Sequence, residues 1–180
     1  KSVLLSTDYA ADSLTRAIEY CWQCRVYNHY GMTEMGLGGG VECQAHRGYH
    51  LREADLYFEV VNPETGQPVP EGECGEVVFT TLTRRGMPLI RYRTGDSSRF
   101  IPGICPCGTS LRSMECIHSR VEEAVKIGEL GKLSINELDE VLFSNDAVFD
   151  FEAVLIHNPQ QELLKLDVFA LQSEDRLKRT

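Results

Sequence analysis

Three short stretches of this chain carry side chains that could serve a nucleotide. In Tyr30-Gly31-Met32-Thr33-Glu34, Gly31 has no Cβ and lets a backbone approach a ligand closely. Thr33 offers a hydroxyl, and Glu34 offers hard carboxylate oxygens of the kind Mg²⁺ takes. In Tyr92-Arg93-Thr94-Gly95-Asp96, the Gly95-Asp96 pair reads as a turn that presents a carboxylate to ribose hydroxyls. In Ser119-Arg120-Val121-Glu122-Glu123, Arg120 carries a planar fork suited to phosphate. Taken singly, each is equally well a surface acid, a turn Asp or a solvated charge. It is their joint occurrence, in this order, that points to nucleotide chemistry.

The cysteines supply a second set. Cys105-Pro106-Cys107-Gly108 places two thiols on one tight knuckle, a common way to offer two metal ligands. Seven cysteines, an odd number, with no segment that reads as a signal peptide, imply free or metal-bound thiols in a reducing compartment, with cytoplasm as the default. Cys21-Trp22-Gln23-Cys24 has redox spacing but lies inside an amphipathic helix pattern, so core packing is expected. Cys74 and Cys116 are expected to be small buried residues. Gly36-Leu37-Gly38-Gly39-Gly40 lacks the Lys-Ser/Thr that follows a phosphate-binding loop and reads as a mobile loop.

These groups must be positioned by a scaffold that the pattern outlines. Val3 to Ser6 is a short apolar run expected as a buried strand. Asp12 or Ser13 is expected to cap a helix reaching about Cys24, with Leu14, Ala17, Ile18, Cys21 and Trp22 on one face. Arg25-Val26-Tyr27 is the next strand, completing a parallel strand–helix–strand unit that delivers the chain to Tyr30. Leu56–Val61 and Gly75–Thr81 are strands around a turn at Asn62-Pro63-Glu64-Thr65-Gly66. Met87 to Tyr92 is a further extended segment. Val125 to Gly128 is a short strand and turn. Ser134 and Glu137 form a capping-box start to an amphipathic helix, and 150–156 with 163–171 alternate as a hairpin.

The three stretches together resemble the adenylate-forming (AMP-binding) superfamily of acyl-CoA ligases. Gly40-Val41-Glu42-Cys43, Gly48-Tyr49-His50 and the run from Phe79 to Asp96 narrow this to phenylacetate–CoA ligase and its relatives. The resemblance implies an α/β fold, with residues 1–120 the C-terminal part of a large domain and 121–180 the beginning of a small α+β domain. It implies an AMP-forming acid–CoA ligase acting on an aryl or similar carboxylic acid, with ATP, Mg²⁺ and coenzyme A. Thr33 and Glu34 would be catalytic. Tyr30, Gly31, Met32, Asp96 and Arg120 would hold the nucleotide, and Glu122 would be the hinge between domains. His29 would face the acyl pocket. In the resembling family the segment holding Cys43 and His50 runs close to the cysteine knuckle. Cys43, His50, Cys105 and Cys107 are therefore expected to form a structural zinc site, with His46 as competing nitrogen.

The phosphate loop with its Lys and the small-domain lysine of the family have no counterpart in this sequence, so the chain is expected to be a fragment. A deazaflavin-adenylylating relative and a zinc-stabilised, non-catalytic binding module are the rival readings. Eighteen Lys+Arg against 27 Asp+Glu, a net charge of −9, argues against a nucleic-acid partner. No apolar run is long enough for a bilayer. A homodimer stays open.

Overall fold

Strand β1 (Ser2–Ser6) and strand β2 (Arg25–Tyr30) lie parallel, with Ser6 opposite His29, and are joined through helix α1 (Asp12–Trp22). The computed structural model describes residues 1–6, 9–117, 119–121, 125–127, 131–158 and 161–171. A 3₁₀ turn at Thr33–Met35 follows β2, and the chain continues through β3 (Gly40–Glu42), β4 (Tyr49–Leu51), β5 (Leu56–Val61), β6 (Gly75–Thr81), β7 (Tyr92–Ser98), β8 (Phe100–Ile101), β9 (Ser113–Met114) and β10 (Ser119–Arg120). Two sheets result. One is mixed, in the order β1-β2-β3-β4-β9-β8, and the other is antiparallel, in the order β10-β7-β6-β5. Beyond them come a small ribbon of β11 (Val125–Ile127) and β12 (Gly131–Leu133), helix α2 (Ile135–Leu142), and the antiparallel hairpin β13 (Val148–Asn158) and β14 (Gln161–Ala170). The architecture is mixed α/β and dominated by sheet.

One core joins the two sheets. Tyr30, Tyr49, Leu51 and Met114 from the first meet Leu56, Phe58, Val77 and Phe79 from the second, with Met35 of the 3₁₀ turn between them. Strand β5 shows how sequence sets this: Leu56, Phe58 and Val60 are buried while Tyr57 is exposed, the period-two alternation of a strand with one face inward.

Several expectations need correction. β1 is not a buried strand: Leu4 is 56% exposed, because no element among the described residues lies over that face. Helix α1 likewise buries none of its residues. Cys21 and Trp22 are exposed rather than packed in a core, and Cys74 is exposed too. Neither Asp12 nor Ser13 caps α1. The N-cap is Ala11, whose side chain cannot accept a hydrogen bond. Met87 to Tyr92 is not continuously extended, since Met87 and Arg91 both have positive φ, and the strand starts only at Tyr92. Gly38–Gly40 are buried, and the Gly39 amide donates to the Tyr30 carbonyl at 2.8 Å, so the glycine-rich loop is folded against β2. The capping box at Ser134 is present as expected, with Glu137 N–H donating to Ser134 Oγ and Ser134 N–H to Glu137 Oε2.

Phe58 is almost fully buried, with its ring 6.4 Å from that of Phe79. Phe58→Ala is expected to destabilise the fold by about 3–5 kcal/mol, read as a lowered urea midpoint. A loss below about 1 kcal/mol would mean that the two sheets do not share this core.

Candidate functional site

Met35 is fully buried and anchors the 3₁₀ turn. Arg52 Nη2 donates to the Met35 carbonyl at 2.8 Å, and Arg84 Nη1 donates to the Glu34 carbonyl at 2.7 Å. The turn is thus held from both sides, leaving Thr33 exposed and the Glu34 side chain half-buried. Tyr92 O–H reaches Glu34 Oε1 at 3.4 Å, and the Glu34 carboxylate pushes the Tyr92 hydroxyl pKa up. Gly31 serves the packing of the chain itself. A Cβ there would lie 2.7 Å from the Gly38 Cα and 3.1 Å from the His29 ring.

Asp96 reaches this region from the other sheet, and it does not sit in a turn. Gly95-Asp96 lies within β7 at a bulge, where the register against β6 jumps from Val78↔Arg93 to Glu76↔Ser97. The extra residues are accommodated by Gly95, at φ +78°, and by side-chain bonds that replace the ladder. Thr94 Oγ1 donates to the Val77 carbonyl at 2.8 Å, the Asp96 amide donates to Thr94 Oγ1 at 3.0 Å, and the Gly95 amide donates to Glu76 Oε1 at 3.1 Å. Glu76 is itself buried, and its other oxygen accepts from Arg93.

The bulge turns Asp96 inward, where it is only 6% exposed. Tyr30 O–H donates to Asp96 Oδ2 at 2.8 Å, and Arg120 Nε lies 3.4 Å from Asp96 Oδ1. Burial, reinforced by the Asp96 charge, pushes the Tyr30 pKa upward and keeps the phenol protonated as a donor. Tyr30, Thr33, Glu34, Asp96 and Arg120 all border one cavity of about 1420 Å³. Glu122 lies outside the described residues.

Cys43, His50, Cys105 and Cys107 form a separate cluster whose ligand atoms all lie within 4.8 Å of one another. Cys43 Sγ is 3.7 Å from Cys105 Sγ, and Cys107 Sγ is 3.4 Å from His50 Nε2. Ser113 Oγ lies 3.2 Å from His50 Nδ1, fixing the ring and turning Nε2 to the thiols. A hydrogen bond from the Thr109 backbone draws the Cys107 pKa down, while burial raises that of Cys43. Three thiols and one imidazole at this spacing match the donor preference of a tetrahedral, structural Zn²⁺. His46 stands apart, stacked on Tyr27 with ring centroids 5.2 Å apart and its Nδ1 3.6 Å from Glu42.

Sequence reasoning missed Glu76, Tyr92 and Arg84. The signal for Glu76 was present: an acid inside the core run Gly75–Thr81 must find a partner. No local pattern announces Arg84, whose contact spans 50 residues.

Cys116 is half-buried and donates to Glu42 Oε1 at 3.6 Å. Burial and the Glu42 charge push its thiol up to about 12. At pH 8 iodoacetamide is expected to label exposed Cys21 at least about a hundredfold faster than Cys116, as read by mass spectrometry of peptides. Equal rates would contradict this burial.

The phenylacetate–coenzyme A ligase of Aromatoleum evansii is 35% identical over 143 residues, which cover 76% of this chain and 32% of that protein. The phenylacetate–coenzyme A ligase of Thermus thermophilus is 44% identical over 103 residues, 56% of this chain and 23% of that protein. The chain thus spans a third or less of the length of these curated relatives. No family profile matches it. A crystal structure of 2-hydroxyisobutyryl-CoA ligase, in the postadenylation state in complex with R3-HIB-AMP, superposes with a TM-score of 0.87 at 23% identity, covering 98% of this chain and 38% of that one.

Proposed function

Because the chain is phenylacetate–CoA ligase-like in sequence and has the fold of the adenylate-forming CoA ligases, we propose that it forms part of an AMP-forming acid–CoA ligase. The reaction joins a carboxylic acid to AMP, releases pyrophosphate, and then transfers the acyl group to the thiol of coenzyme A. The observation that carries this reading is the convergence of Tyr30, Glu34, Asp96 and Arg120 on one cavity from two different sheets. Asp96 accepts ribose hydroxyls, with Tyr30 holding its carboxylate in place. Arg120, 63% exposed in its side chain, swings from Asp96 to ribose or phosphate. Glu34 supplies carboxylate oxygen toward Mg²⁺, and Thr33 supplies a hydroxyl toward the phosphates. Gly31 and Met32 complete the nucleotide wall.

Residues 1–120 then belong to the large domain and 121–180 to a small domain, with Glu122 as the hinge. The acid is an aryl or similar small carboxylic acid. Cytoplasmic residence fits seven cysteines that are all free thiols. Among the described residues no helix is long and apolar enough to cross a membrane.

Zinc held by Cys43, His50, Cys105 and Cys107 would have a structural role, tying the β3–β4 connection to the 105–107 knuckle. Elemental analysis is expected to find about one zinc per chain. Ser113→Ala is expected to weaken zinc affinity about 10- to 100-fold by freeing the His50 ring, measured by competition with a chelator. A metal-free protein would remove the zinc proposal.

The ligase reading is tested by acid-dependent ATP–pyrophosphate exchange in the full-length protein that contains this chain. Asp96→Ala removes a charge-assisted anchor, typically about 1.5–3 kcal/mol, and is expected to lower exchange by about one to two decades. Tyr30→Phe, which frees the carboxylate to rotate, is expected to raise KM for ATP. Unchanged exchange in Asp96→Ala would displace the ribose assignment. No exchange with any carboxylic acid would displace the ligase reading itself.

A further inference from the structure

Glu76 is a buried acid on β6, and it is not one of the residues that border the cavity. A carboxylate taken out of water needs donors on both oxygens. Arg93 donates to Oε2 through Nε at 2.8 Å and through Nη2 as well. The same Nη2 donates to the Pro63 carbonyl at 2.7 Å, so the guanidinium is itself held. Oε1 accepts the Gly95 amide at 3.1 Å. Arg93 thus fixes one oxygen of the carboxylate, and the other is presented to the bulge of β7.

Gly95 is bonded on both sides. Its amide points to Glu76, and its carbonyl accepts the Val121 amide at 2.7 Å. The Val121 bond continues the register of β10 on β7, in which Ser119 lies opposite Ser97 and Arg120 opposite Asp96. Gly95 therefore precedes Asp96 in one strand and anchors the backbone that follows Arg120 in the next. A Cβ at Gly95 would meet nothing within 4 Å, so packing does not shape the bulge there. Its form rests on the positive φ of Gly95 and on these hydrogen bonds.

We propose that Glu76 is a positioning residue for the nucleotide: through the Gly95 amide it holds the bulge in the shape that turns Asp96 into the cavity and seats Arg120 beside it. This rests on the reading of Asp96 and Arg120 as the groups that meet ribose and phosphate. Glu76 touches no ligand and acts through both of them at once. Without it the Gly95 amide loses its acceptor, the bulge is free to relax, and both side chains lose their aim together. The Arg93 side chain is 53% exposed, so water can solvate it when Glu76 is removed, and no cation is stranded in the core.

The test measures ATP affinity by isothermal titration calorimetry, and KM for ATP and for the carboxylic acid in ATP–pyrophosphate exchange, with the full-length protein that contains this chain. Glu76→Ala is expected to weaken ATP binding at least about tenfold, the loss of a charge-assisted hydrogen bond, and to leave KM for the carboxylic acid within about twofold. Glu76→Gln keeps an oxygen for the Gly95 amide but loses the charge that Arg93 fixes. It is expected to weaken ATP binding about threefold, and it carries the test if Glu76→Ala does not fold. In an Asp96→Ala background, Glu76→Ala is expected to add no more than about threefold, because one of the two side chains it aims is gone. A merely structural role would lower the folded fraction and leave the ATP affinity of the folded protein unchanged, and that result overturns the proposal. So does a Glu76→Ala effect that is undiminished in the Asp96→Ala background. Wild-type protein that binds ATP, loses it in Asp96→Ala and keeps it in both Glu76 variants overturns this inference alone. Wild-type protein that neither binds ATP nor supports exchange overturns the ligase reading, and this inference with it.

Discussion

A carboxylate taken out of water has to be held by something, and the placement of Asp96 follows from that requirement. Its side chain is 9% exposed, so solvation by bulk water is largely lost. Tyr30 from the mixed sheet and Arg120 from the antiparallel sheet replace it. The bond from Tyr30 crosses between the two sheets, and its donor and acceptor are 66 residues apart. Losing either partner would leave a buried charge poorly compensated, which is far more costly than losing an exposed ion pair. The relative position of the sheets is thereby specified at the point where the cavity opens.

Behind that contact, apolar packing supplies stability and polar contacts supply aim. Phe58, Phe79, Leu51 and Met114 would pack in many arrangements of similar volume. What selects one is a set of directional bonds: Glu76 to Arg93 and the Gly95 amide, Arg84 to the Glu34 carbonyl, Arg52 to the Met35 carbonyl. Each fixes backbone next to a residue of the cavity wall, and none of them needs to touch a ligand. The two buried glutamate and aspartate side chains of β6 and β7 are therefore linked through the bulge between them.

Local chemistry was legible where it was local. The turn at Asn62–Gly66, the alternation in β5 and β6, the capping box at Ser134 and the hairpin of β13 and β14 follow from residues a few positions apart. The Cys43, His50, Cys105 and Cys107 set is brought to one place from two distant stretches of chain, Cys43 and Cys105 being 62 residues apart, and the knuckle alone could announce only two of its members. What could not be read was the environment. β1 and α1 have apolar residues in the right places, yet Leu4 and Trp22 face outward, because periodicity says which face is apolar and not what covers it. Gly95-Asp96 misled for a related reason. Glycine before an acid is a turn signal, and only the buried Glu76 opposite converts it into a bulge within a strand.

The first turn of α1 has a defect of its own, since Ala11 offers no side-chain acceptor. The acceptor comes instead from Glu140 on α2, whose Oε1 receives the Asp12 amide at 3.0 Å and the Tyr9 hydroxyl as well. A first-turn amide that would otherwise be left to solvent is satisfied from 128 residues away. Helix α1 consequently senses where α2 is. Whenever α2 departs, the Asp12 amide loses its partner and the end of α1 can fray, so that amide's hydrogen-exchange rate becomes a built-in gauge of how the C-terminal segment sits on the rest of the molecule.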